Sequence, residues 1–309
     1  MVAIAWDRKD LLGIETLSAG EIETILDAAA PFADDPRSRA DVLAGRMVAF
    51  VFSEPSTRTR TSFEAAALRL GAQVLGFSAI GSSAAKGETL LDTMRNLEAI
   101  GAEYFVVRHE LSGVLEPLAP RVRASILNAG DGFHEHPTQA LLDVFTLRRK
   151  KGKIAGLRVV ILGDILHSRV ARSNIHALKK LGARVTVCGP SSLIPKGIER
   201  LGARVSHDLD AALAQADAVN VLRLQLERQS QNLIASAPDY ASRYCLSAER
   251  LERHPDLLAL HPGPMNRGVA IASAAADGPS TAILEQVANG VAVRMAVLSL
   301  LSSWRSRHG

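Results

Sequence analysis

The stretch Ser53-Glu-Pro-Ser56-Thr57-Arg58-Thr59-Arg60-Thr61-Ser62-Phe63-Glu64 gathers hydroxyls and guanidiniums where an apolar run gives way to an alanine-rich one. Backbone N–H groups at a helix start, hydroxyl donors and an arginine together make an anion site, preferably for phosphate. Residues two apart on a helix point to nearly opposite sides, so Arg58 and Arg60 do not face one ligand. Arg58 is assigned to the anion, and Arg60 to a pair with Glu64 one turn later. A capped helix carrying surface arginines is the competing reading.

His134-Glu-His136-Pro-Thr-Gln139 places two histidines two residues apart before a helix. Helical zinc pairs prefer a four-residue spacing, and no Cys or further His cluster is close enough in sequence to complete a tetrahedral set, so no metal is expected. A neutral imidazole at His136 and the Gln139 amide are suited instead to a carbonyl and an NH2 group. A helix-capping histidine without a ligand is the alternative. The turn Leu162-Gly163-Asp164-Ile165-Leu166-His167-Ser168-Arg169 lacks the three spaced glycines of a dinucleotide fold, and Gly81-Ser-Ser-Ala-Ala-Lys86-Gly87-Glu88 does not follow the Walker pattern. No nicotinamide, flavin or other cofactor and no nucleotide hydrolysis is expected. Ser82 and Lys86, taken alone, read as part of a solvated loop. Arg223 and Gln225, and His261-Pro262-Gly263-Pro264, follow two further apolar runs. Two arginines at the ends of parallel strands, Arg169 and Arg223, suit a ligand with two carboxylates, each engaged in bidentate fashion.

The elements that must hold these residues alternate. Residues 46–52, 73–78 and 104–108 read as strands, with helices over 57–70 and 137–149; a second series has strands at 157–162, 185–188, 218–222 and 257–260 and helices at 168–181 and 193–201. Residues 282–305 form a last long amphipathic helix. Alternation of this kind requires crossover connections, so the expected fold is α/β: two doubly wound, parallel-sheet lobes with a cleft between them. A length of 309 residues is comfortable for two domains.

Hydrophobic residues make up 47% and charged residues 22% of the chain, the usual mix of a soluble globular protein. The net charge of +4 is scattered apart from RRKKGK at 148–153, read as a solvated hinge, and only 4% of residues are aromatic, so nucleic acid is not an expected partner. No run of about 18 apolar residues and no basic-then-apolar start is evident, which leads to the expectation of a cytoplasmic protein with no membrane partner. Cys188 and Cys245 have neither metal-ligand nor redox spacing and read as buried thiols.

These motifs together resemble the aspartate/ornithine carbamoyltransferase family over nearly the whole chain. Ser56-Thr-Arg-Thr-Arg60 is similar to the family's carbamoyl phosphate signature; Lys86-Gly-Glu-Thr89, Val107-Arg-His109, His136-Pro-Thr-Gln-Ala-Leu-Leu-Asp143, Gly163-Asp-Ile and Asn289-Gly-Val-Ala-Val-Arg294 look like its aspartate branch, in the same order. The resemblance implies a carbamoyl phosphate-binding domain over 1–149, completed by a C-terminal helix over 287–309, and an aspartate-binding domain over 150–286. It implies that Ser56, Thr57, Arg58, Thr59 and Arg108 hold the phosphate, and that Thr59, Arg108 and His136 contact the carbamoyl oxygen. Gln139 and the Pro262 carbonyl would hold the carbamoyl NH2. Arg169, Arg223, Gln225 and Gly263 match the aspartate side, while Ser82 and Lys86 match residues that reach in from a neighbouring subunit of a homotrimer. The implied reaction carries the carbamoyl group of carbamoyl phosphate to L-aspartate, in pyrimidine biosynthesis.

Two departures, Gly263 where some members carry Leu and Glu110 where Pro is common, remove no functional group. The string Gly263-Pro-Met-Asn-Arg-Gly268 resembles members that associate with dihydroorotase in place of a separate regulatory chain. Competing assignments are ornithine carbamoyltransferase, whose His-Cys-Leu-Pro string has Cys where Pro262 stands here, and a catalytically silent assembly partner.

Overall fold

A computed structural model describes residues 6–78, 87–225 and 233–308. Its first helix, α1 (Ala19–Asp34), opens on a capping box in which Ser18 Oγ accepts from the Glu21 N–H and the Glu21 carboxylate accepts from the Ser18 N–H. Burial alone would raise the Glu21 carboxyl, but hydrogen bonds from Arg8 and Ser18 hold it at about 2. There follow β1 (Met47–Phe52), α2 (Thr57–Arg69), β2 (Gln73–Ser78), α3 (Leu90–Ile100), β3 (Ala102–His109), β4 (Ser125–Asp131) and α4 (Pro137–Lys151). The chain continues with β5 (Arg158–Leu162), α5 (Arg169–Lys180), β6 (Arg184–Cys188), β7 (Arg204–Ser206), α6 (Leu209–Leu213), β8 (Ala218–Val221), α7 (Ala237–Tyr244), α8 (Ala248–Glu252), β9 (Leu258–Leu260), α9 (Ser273–Ala276) and α10 (Ile283–His308).

The chain divides into two compact units, Met1–Leu142 with Val287–Gly309, and Asp143–Gln286, so that the divisions fall inside α4 and α10. In the first unit a parallel sheet has the order β2-β1-β3-β4. Ala49 and Val51 of β1, Phe105 and Val107 of β3 and Ile126 of β4 bury one face against Met94 and Leu97 of α3. In the second unit the parallel order is β7-β6-β5-β8-β9, and Val160, Leu162, Val219 and Val221 pack with Tyr240, Tyr244 and Leu246. Each sheet starts near its centre and builds outward first to one side and then to the other. The reversal falls between β1 and β3 in one unit and between β5 and β8 in the other, and in open parallel sheets ligands gather at the carboxyl ends of the strands flanking such a reversal.

One expectation needs correction. Residues 193–201 are not one helix but two 3-10 turns, Ser191–Leu193 and Ile198–Leu201; Pro195 lacks a donor and Gly197 takes φ +78°. The basic run at 148–153 falls at the end of α4, which continues to Lys151, and the four cations of its last turn complement the helix C-terminus before Gly152 turns at φ +79°. Among the described residues α10 is long and apolar enough by length and composition to cross a membrane, although Glu285, Gln286, Asn289 and Arg294 interrupt its apolar run. Residues 292–298 of this helix are all buried, Arg294 lies over the Phe63 ring at 4.8 Å, and Ser302 donates to the Val42 carbonyl at 3.2 Å. These contacts make it a core helix of the first unit.

Candidate active site

In the first unit the reversal point is built from the ends of β1 and β3. Phe52 registers with Arg108, and the Ser53 N–H donates to the Arg108 carbonyl at 3.0 Å, so the two strand ends are level. Ser56 is the N-cap of α2, with φ −160°, yet its side chain makes no capping bond. Its Oγ instead accepts from Arg108 Nη1 at 3.3 Å, while Arg108 Nε donates to Glu54 Oε2 at 3.1 Å. The first-turn N–H groups of α2 therefore lack a Ser56 cap and stand beside a guanidinium, which is the arrangement an anion needs. Thr57 and Arg58 are exposed at this helix start, and no acidic residue lies in its first turn. Arg60 turns aside to Glu64 Oε1 at 2.7 Å, as its spacing requires.

Thr59, one residue further on, is buried, and its Oγ1 lies 3.4 Å from His136 Nε2. His136 and Gln139 are also buried, and the Gln139 N–H donates to the His136 carbonyl at 3.0 Å, which opens α4. What sets His136 in place is the β4–α4 loop. Asp131 Oδ1 accepts from Asn128 Nδ2 at 2.8 Å and the Glu135 N–H at 3.1 Å, and Oδ2 accepts from the Gly113 N–H at 2.6 Å and meets His134 Nδ1 at 2.9 Å. Glu135 Oε1 in turn accepts from the Ile14 and Glu15 N–H groups, each at 2.9 Å. Burial pushes the Asp131 carboxyl up, but the bonds from His134, Asn128 and Gly113 outweigh it and hold the carboxyl below its ordinary value. The bond to Asp131, helped by the nearby Glu135 and Glu116 charges, lifts His134 above its ordinary value against its own burial. The two histidines of the motif thus serve different partners, one a loop carboxylate and the other the Thr59 hydroxyl.

In the second unit the reversal point lies between β5 and β8. Gly163 follows β5 with φ +123°, and a Cβ there would stand 2.6 Å from the Leu222 carbonyl oxygen. Only glycine allows the two strand ends to approach so closely. Asp164, fully buried, accepts from His167 Nδ1 at 2.9 Å and from the Gln225 N–H at 3.2 Å, and Gln225 Nε2 donates to the His167 carbonyl at 2.9 Å. This network ties the turn after β5 to the segment after β8. Arg169 begins α5 on the Ser168 cap and is buried, whereas Arg223 is half-buried and donates to the Leu224 carbonyl at 3.3 Å. Pro262 and Gly263 follow β9, and the Gly263 N–H donates to His261 Nδ1 at 2.8 Å.

Ser56, Thr59, Arg108, His136 and Gln139 thus sit in the first unit, and Arg169, Arg223, Gln225, Pro262 and Gly263 in the second. Ser82 and Lys86 lie outside the described residues. Glu54, Asp131, Glu135, Asp164 and His167 received no role from sequence reasoning. Their signal was available only as carboxylates and an imidazole next to assigned residues, since their partners come from other elements.

The fold and these groups define a two-unit parallel α/β protein with cationic, hydrogen-bonding sites at both sheet reversals, a class suited to small anionic substrates. Residues 9–149 match the family model described as aspartate/ornithine carbamoyltransferase, carbamoyl-P binding domain, and residues 155–301 match its Asp/Orn binding domain. The chain belongs to the aspartate/ornithine carbamoyltransferase family. It is 53% identical over 301 residues to the aspartate carbamoyltransferase catalytic subunit of Endomicrobium trichonymphae, covering 96% of each chain. Among solved structures, aspartate transcarbamoylase from Trypanosoma cruzi in complex with carbamoyl phosphate and aspartate superposes with a TM-score of 0.87 at 29% identity, over 96% of this chain and 98% of that one. The catalytic subunit of M. Jannaschii aspartate transcarbamoylase gives 0.86 at 33% identity, over 98% and 100%.

Proposed function

We propose that the chain transfers the carbamoyl group of carbamoyl phosphate to the amine of L-aspartate, releasing N-carbamoyl-L-aspartate and phosphate, a step of pyrimidine biosynthesis. The observation that carries this reading is the convergence of Ser56, Arg108, Thr59 and His136 at the β1/β3 reversal. Carbamoyl phosphate is a mixed anhydride, so an amine attacks its carbonyl directly and no enzyme nucleophile is required. Ser56, Thr57, Thr59, the α2 N–H groups and the Arg58 and Arg108 guanidiniums would neutralise the departing phosphate. Thr59, Arg108 and His136 would stabilise the oxyanion of the tetrahedral intermediate, where one such donor contributes about 3–4 kcal/mol. Gln139 and the Pro262 carbonyl would hold the carbamoyl NH2, and the departing phosphate would take the amine proton.

Arg169, Arg223 and Gln225, with Gly263 beside them, would hold the two carboxylates of aspartate. Two guanidiniums favour a dicarboxylate over the extra ammonium of ornithine, and Pro262 stands where the ornithine branch carries Cys. The further reading is of a cytoplasmic homotrimer in which Ser82 and Lys86 complete a neighbour's site, with dihydroorotase or a regulatory chain as an additional partner. The catalytic proposal is tested by turnover with carbamoyl phosphate and L-aspartate, followed as carbamoyl aspartate. Wild-type chain is expected to form product, and Arg58→Ala to lose at least about 1.5–3 kcal/mol of transition-state stabilisation with an unchanged circular dichroism spectrum, because Arg58 is exposed. Near-normal turnover by the variant would refute the role given to Arg58.

A further inference from the structure

Asp143 of α4 is fully buried and receives three carboxamides. Asn174 Nδ2 at 2.8 Å and Asn220 Nδ2 at 2.9 Å donate to its Oδ2, and Gln286 Nε2 donates to Oδ1 at 2.8 Å. The other end of Gln286 continues the chain, its Oε1 accepting from the His261 N–H at 2.8 Å, and His261 Nδ1 accepts from the Gly263 N–H at 2.8 Å. Each carboxamide sits close to a residue assigned to aspartate. Asn174 lies on α5 and also donates to the carbonyl of Val170, the neighbour of Arg169. Asn220 lies on β8, just before Arg223 and Gln225. Gln286 holds the backbone that leads into Pro262 and Gly263. All of these residues belong to the second unit.

An ionised carboxylate only accepts hydrogen bonds, so it orders every carboxamide around it with the NH2 side inward. That choice is what leaves the Gln286 oxygen facing the His261 N–H. We propose that Asp143 is a positioning residue of the aspartate site: through Asn174, Asn220 and Gln286 its carboxylate aligns the three segments that carry Arg169, Arg223 with Gln225, and Pro262 with Gly263. The inference rests on the carbamoyl transfer reading above and adds a residue that touches no substrate. An undirected apolar filling of this space would support the fold but would not order the three segments.

The direction of the hydrogen bonds supplies the test. In Asp143→Asn an NH2 group meets a donor, and a Gln286 side chain that turns to accept it presents its own NH2 to the His261 N–H. In Gln286→Glu two carboxylates face each other without a proton donor between them. The double variant Asp143→Asn/Gln286→Glu restores these four bonds: the new amide oxygen accepts from Asn174 and Asn220, its NH2 donates to the new carboxylate, and that carboxylate accepts from the His261 N–H. The negative charge has moved by one side chain and the wiring is intact.

Steady-state kinetics with L-aspartate, together with calorimetric titration of inorganic phosphate, are measured for the wild type, both single variants and the double. Each single variant is expected to lose about tenfold or more in kcat/KM for aspartate, and the double to return to within about threefold of wild type. The phosphate Kd should be unchanged throughout, since Ser56, Arg58 and Arg108 lie in the first unit. If Asp143→Asn does not fold, Gln286→Glu against the double decides. Wild-type kinetics in the single variants, a double no better than the worse single, or phosphate binding that falls in parallel with turnover would each overturn the proposal. A wild-type chain that binds phosphate but forms no carbamoyl aspartate overturns the functional reading, and this inference with it.

Discussion

At the scale of single residues, the candidate site of the first unit is built from side chains that reach beyond their own segments. Ser56 gives up the helix cap for Arg108, and His136 Nε2 reaches across to the Thr59 hydroxyl. Hydroxyl-rich Ser56 to Thr59 and the His136-to-Gln139 motif were legible because their residue types state their chemistry. Asp131 and Glu135 were not, since a carboxylate's role depends on which backbone N–H groups the fold brings to it. The Asp131–His134 contact has a measurable consequence. His134, raised in the folded state, contributes stability that is fully present below its unfolded value of about 6.5 and fades as pH rises through the folded value. Asp131, lowered, contributes above its unfolded value of about 3.9 and loses that contribution as pH falls through the folded one. The contact is therefore strongest in mildly acidic solution. His134→Ala should cost about 1 kcal/mol more at pH 5.5 than at pH 8.5 in urea unfolding, and an equal cost at both pH values would show that the contact is not charge-assisted.

At the scale of elements, the strands that were buried apolar runs were readable, and those broken by polar or small residues were not. β4 holds Asn128, Gly130 and Asp131 within a fully buried strand, so periodicity carried no sign of it. The helix α1 carries its signal in Ser18 and Glu21, which form a capping box. The segment 193–201 shows the opposite error, an apolar spacing overruled by Pro195 and Gly197. Gly163 illustrates how an element end can be decided by backbone proximity: its turn lacks the spaced glycines of a dinucleotide fold, and the glycine is required by the Leu222 carbonyl. Gly163→Ala is expected to destabilise the protein by about 2 kcal/mol or more, combining unfavourable φ with a backbone clash, and to lower the melting temperature by several degrees. A melting temperature equal to wild type would mean that the β5 and β8 ends separate easily.

For the whole molecule, length and alternation indicated two α/β lobes, and two parallel sheets with flanking helices are present. The trimer proposal rests on resemblance alone, because the string Gly81-Ser-Ser-Ala-Ala-Lys86 has no residue pattern that names a partner. The proposed trimer makes a specific prediction: inactive Lys86→Ala and inactive His136→Ala chains, dissociated and reassembled together, should regain activity in the minority of sites that combine an intact Lys86 with an intact His136. Verified hybrids no more active than either parent would place Lys86 within its own chain or outside the reaction. In the proposed function Arg169 and Arg223 select a dicarboxylate amine for carbamoyl transfer. That selection is tested by comparing kcat/KM for L-aspartate and L-ornithine at fixed carbamoyl phosphate. Strong preference for aspartate, with carbamoyl aspartate as the product, is the expected result; equal or faster reaction of ornithine would contradict it.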